Sequence, residues 1–222
     1  MDTKEEISDK ESYSGAIIKG ATIVMIMFIL TAGISYLFRL YLARSISIEE
    51  YGLFFSVFSF LNMIFGFKTY GVGSAFIKFV SENKAKNNNK EIKRLIFYFA
   101  LIQFVVFGIM SLIIFLTAKP LSLYYFKNEK AYLPIIILTV AFFFTIFIST
   151  FRSFFQAYHR MDYYSSIEFF QIIFVLIFSF LFLKLGKGYL SPFFAYLFSF
   201  ILVAIVCFFL FLKLFPFFKI KV

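Results

Sequence analysis

Long apolar runs alternate with short polar breaks along almost the whole chain. The runs cover residues 15–42, 53–80, 95–117, 133–156, 167–185 and 190–214. A helix crosses the hydrocarbon core of a bilayer with ~20 mostly apolar residues, and each run is about that long or longer. Lipid offers backbone groups no hydrogen-bonding partner, so such runs form helices that satisfy the backbone internally. The pattern predicts an all-α, polytopic membrane protein: a polar tail over 1–14, then six transmembrane helices over 15–222. No polar segment is long enough to fold by itself, so the expectation is one membrane domain.

Composition sharpens this picture. Of 222 residues, 62% are hydrophobic, 39 are Phe and 15% are charged, which no ordinary soluble domain matches. The first run follows a tail of mixed sign (Asp2, Lys4, Glu5, Glu6, Asp9, Lys10, Glu11) and lacks a small-x-small cleavage pattern. It reads as a retained first helix, not as a signal peptide. The single Cys207 has no partner for an internal disulfide and leaves the compartment open.

Lys and Arg set the expected orientation. Twice as many fall on one set of connections (the tail with Lys19, Lys78 to Arg94, Arg152, Arg160, and Lys213 with Lys219 and Lys221) as on the other. That places both termini in the cytoplasm and the chain in the cell membrane. The net charge of +10 is then a topology signal with an attraction to anionic lipid headgroups. Scattered over both sides, it offers nucleic acid no continuous patch.

Polar residues at membrane depth are costly and mark candidate chemistry. The first run places Thr31, Ser35 and Arg39 at four-residue steps, on one helix face. The second repeats this with Ser59, Asn62, Gly66, Thr69 and Gly73, and the fourth with Thr145, Ser149, Arg152 and Gln156. Three such stripes predict a polar cleft between three helices. The competing reading is that Ser and Thr bond their own helix carbonyls while small residues permit close packing.

The acidic residues avoid the helix centres in this reading, with Asp162 and Glu168 at a turn and a helix start. No carboxylate then serves a proton or sodium relay or attracts a cationic drug. Arg39, Arg44, Lys68 and Arg152 favour an anionic ligand instead, and guanidinium forks suit phosphate oxygens. Snorkelling to the headgroups is the alternative for the three arginines. Lys68 lies mid-helix, more than a quarter-turn from the stripe, where Gly66, Gly71 and Gly73 loosen the helix enough for a bend to redirect it. The lone His159 has no metal-ligand cluster around it, and no phosphate-binding Gly-rich loop is present. The expectation is a protein that is not an enzyme and carries no metal or cofactor.

The run from Phe38 to Phe54, with Arg39, Arg44, Glu49, Glu50 and Gly52, resembles the helix 1–2 junction of polysaccharide and oligosaccharide flippases. These belong to the multidrug/oligosaccharidyl-lipid/polysaccharide exporter superfamily. Gly71 to Glu82 resembles the end of their second helix, and Phe151 to Ala157 the end of their fourth. The resemblance implies flipping of an isoprenoid pyrophosphate-linked sugar through a central cavity open alternately to each side. It also implies that Arg39 and Arg44 meet the pyrophosphate, as arginines in similar places do in the related peptidoglycan-precursor flippases. Such transporters have two six-helix lobes, and the chain resembles the amino-terminal one. The implied partners are a lipid-linked anionic glycan, membrane lipids and a second lobe: a missing carboxy-terminal half, a split partner or a homodimer. A multidrug exporter-like lobe and a non-transporting membrane subunit of a glycan-assembly complex are the alternatives.

Overall fold

The structure, a computed structural model, describes residues 2–66 and 71–215, with side chains from Ile18 onward. Among the described residues seven α-helices follow one another: α1 (Asp2–Ser45), α2 (Ile48–Gly66), α3 (Val72–Ala85), α4 (Asn89–Pro120), α5 (Tyr132–Ala157), α6 (Met161–Lys184) and α7 (Ser191–Leu214). Six stretches of these residues are long and apolar enough to cross a membrane, carried by α1, α2, α4, α5, α6 and α7. Among the described residues there is no strand.

Local chemistry explains where these helices begin and stop. α2 opens on a capping box: Glu50 N–H donates to Ser47 Oγ at 3.3 Å, and Ser47 N–H to Glu50 Oε2 at 3.1 Å. Asn88 caps α4 by accepting from Glu91 N–H at 3.2 Å. Beyond Pro120 the chain widens into a π turn (Leu121–Tyr125) and then tightens into a 3-10 turn (Glu129–Ala131), so the long connection between α4 and α5 is mostly helical. The basic stretch 81–94 is helical except for a turn at 86–88. α3 runs to Ala85 and α4 begins at Asn89.

The second apolar run is not one helix. α2 is described to Gly66, and α3 starts after Gly71, whose φ of +76° is a left-handed conformation that favours glycine and breaks the helix there. The glycine-loosened bend expected from Gly66, Gly71 and Gly73 is here an interruption. On the α2 side of it, Phe65 packs on Phe107 of mid-α4 and on Phe142 of α5 (ring centres 4.7 and 5.3 Å). An added Cβ at Gly71 meets no atom within 4 Å, so Gly71→Ala is strained by backbone alone. It is expected to destabilise the lobe by ~1–2 kcal/mol, while Gly33→Ala, equally open but inside α1, leaves stability unchanged or raised. Thermal unfolding in detergent reads both.

α5 runs through the centre of the lobe, packed by α7, α4, α3, α6 and α2, while α1 lies mainly along α6. Lipid is as apolar as a Phe ring, so association rests on dispersion and polar contacts, not on escape from water. The rings supply dispersion. Wholly buried Phe54 meets Phe38, Phe193 and Tyr196 within 6.2 Å, joining α1, α2 and α7. At the end that carries the basic residues, Phe154, Tyr158, Phe211 and Phe215 cluster with centres 4.5–5.6 Å apart. Such pairs contribute ~0.5–1.5 kcal/mol each beyond area burial.

Candidate substrate cavity

A cavity of about 400 Å³ opens between α1, α2, α5, α6 and α7. The i, i+4 repeat brings Thr31 and Ser35 of α1 to one wall. Asn62 and Gly66 line it from the end of α2, and Thr145, Ser149 and Arg152 from successive turns of α5. Glu168 and Gln171 of α6 close the fourth side, and Tyr196 of α7 stands among Phe58, Phe142 and Phe200. The result is a polar strip set in an aromatic surround.

The hydroxyls follow both readings that the sequence left open. Thr31 Oγ1 donates to Met27 O at 2.7 Å, so it bonds its own helix and lines the cavity as well. Ser149 Oγ reaches Gln103 Oε1 at 2.7 Å, and Gln103 Nε2 donates to Thr150 Oγ1 at 3.2 Å. Gln103, wholly buried in α4, therefore fixes the α5 wall from behind. Sequence reading passed over it, although a lone amide amid an apolar run was the available signal.

The charged groups are more evenly balanced than the sequence implied. Arg152 Nη1 donates to Glu168 Oε1 at 2.5 Å, and its guanidinium lies 4.5 Å from the centre of the Tyr164 ring. The Arg152 side chain is 22% exposed and that of Glu168 47%. The expectation that Glu168 only starts a helix is corrected here. α6 begins at Met161, because Arg160 and Asp162 pair at the turn (3.0 Å), and this sets Glu168 two turns inside, in the cavity wall. The cavity holds a carboxylate as well as a guanidinium.

The remaining candidates lie elsewhere. Arg39 is exposed one turn beyond Ser35, 5.6 Å from the Phe55 ring centre. Arg44 is exposed in the last turn of α1, where a cation suits the carbonyl end of a helix. Ser59 is exposed and does not line the cavity, and Gln156 lies past Arg152 near the end of α5. Lys68 and Thr69 fall outside the described residues. Among the described residues, no three of His, Cys, Asp and Glu are gathered as a metal site would require.

Membrane-spanning helices around a polar, partly charged cavity define a multi-pass membrane protein with an internal site. A model of the polysaccharide biosynthesis protein family matches residues 17–222, and the chain belongs to that family. It is also similar to an uncharacterized membrane protein of Methanocaldococcus jannaschii, 25% identical over 183 residues. That match takes in 78% of this chain but only 36% of the relative, so the chain spans about a third of that protein's length. No solved structure matches it.

Proposed function

We propose that the chain is the amino-terminal lobe of a transporter that flips a lipid-linked oligosaccharide or polysaccharide precursor across the membrane. The observation that carries this reading is Arg152 in the cavity wall, beside hydroxyl and amide groups suited to sugar or phosphate oxygens. Family membership supports a role in polysaccharide biosynthesis. In this reading the end carrying Lys78 to Arg94 faces the cytoplasm. Arg39, one turn beyond Ser35, then meets the anion nearer the outer face. A second six-helix lobe supplies the opposing wall, since alternating access takes two bodies rocking about one site.

Glu168 in the cavity gives a multidrug exporter-like reading a foothold, because a carboxylate draws lipophilic cations. Its ion pair with Arg152 cancels that attraction in the conformation described.

Reconstitution decides between them. The two-lobed assembly in vesicles is expected to move a fluorescent isoprenoid pyrophosphate-linked sugar between leaflets and not to accumulate ethidium. The chain as a monomer is expected to move neither. Ethidium transport without sugar-lipid flipping would overturn the proposal, and flipping by a demonstrable monomer would remove the second lobe from it.

A further inference from the structure

We infer that Glu168 is a built-in placeholder: in the empty lobe its carboxylate sits on Arg152 where the pyrophosphate of the cargo sits in the loaded one. The inference rests on the lipid-linked cargo proposed above. Its geometric basis is an asymmetry within the pair. Arg152 is held from below by the Tyr164 ring and is mostly covered, whereas Glu168 on the neighbouring helix is half exposed. Among the described residues the Glu168 carboxylate bonds no side chain but Arg152. One group is a fixed receptor and the other is free to turn aside.

The guanidinium also has capacity to spare. Its Nε is buried and finds no hydrogen-bond partner among the described residues, while Nη1 serves Glu168. A carboxylate brings two oxygens and one charge, whereas a pyrophosphate brings more of both and can engage a second donor of the fork. A bare guanidinium at membrane depth is costly. Exchange of one anion for another keeps the guanidinium paired in both states. It also imposes selectivity: a singly charged phospholipid headgroup gains little over the carboxylate it must displace, whereas a pyrophosphate gains charge.

The test uses the whole chain in nanodiscs of phosphatidylcholine, with geranylgeranyl pyrophosphate as ligand and geranylgeraniol as the uncharged control. Glu168→Gln keeps the side-chain shape and removes the competing charge. It is expected to tighten pyrophosphate binding about two- to fivefold, the span of a partly exposed ion pair, without changing binding of the alcohol. Glu168→Ala is expected to act in the same direction, and Arg152→Gln to erase the preference for pyrophosphate over alcohol. If the parent chain prefers pyrophosphate but both Glu168 variants bind it equally or more weakly, the exchange is overturned and the flippase reading stands. If no chain prefers pyrophosphate, that reading falls and the exchange with it. If phosphatidylglycerol in the disc competes as well as pyrophosphate, the seat belongs to bilayer headgroups and the exchange with cargo is overturned.

Discussion

Arg152→Ala is expected, on the flippase reading proposed above, to lower glycan export by the two-lobed assembly about ten- to a hundredfold, the size of a lost hydrogen bond to a charged group, ~1.5–3 kcal/mol. The residue lines the cavity, and its removal strips the anion of its guanidinium while leaving Glu168 unpaired. Arg152→Lys is expected to recover only part, because a point charge keeps the attraction and loses the fork. Surface glycan in cells that depend on the transporter provides the measurement, with membrane insertion checked in parallel. Export at the parent level by an inserted Arg152→Ala would take the cavity out of the transport path. Arg39→Ala is expected to lower export as well, and normal export there would leave Arg39 as an interfacial anchor.

Gln103→Ala is expected to have the largest effect on stability, ~2–4 kcal/mol, from a cavity in the middle of α4 combined with two lost side-chain bonds. Gln103→Leu separates the two contributions. It fills the space, and Ser149 and Thr150 keep their second bonds to Ile146 O at 3.0 and 2.8 Å, so neither hydroxyl is orphaned. Its expected cost is ~1–2 kcal/mol, because interhelical bonds within membranes average below 1 kcal/mol apiece. Equilibrium unfolding in bicelles reports both values. Equal losses for the two variants would assign the whole effect to hydrogen bonding.

Six spanning helices were legible because length and hydropathy alone decide what enters a bilayer. Part of the cavity was legible too. Thr31 with Ser35, and Thr145 with Ser149 and Arg152, meet because four-residue spacing keeps them on one face. Ser59 was misplaced by the same logic: it shares the broad Asn62 face, yet helix packing turns it outward. Glu168 and Gln171, which share a face of the fifth run, were given no place in the cavity for a different reason. Tyr163, Tyr164, Ser165 and Ser166 read as a polar break, whereas the structure makes them the first turns of α6. A start six residues too late moved the carboxylate from the cavity wall to the interface. Pairing between helices, on which the Arg152–Glu168 contact depends, leaves no periodic trace along a single chain.

The corner at Gly71 also has a mechanical side. Ser81 Oγ donates to Ala157 O at 3.0 Å, and Lys84 Nζ to Tyr158 O at 3.4 Å, with the ammonium 4.7 Å from the Tyr158 ring centre. These ties couple the far end of α3 to the end of α5. α3 is therefore a lever arm: a load on it is delivered to the last turns of α5, where Arg152 is mounted.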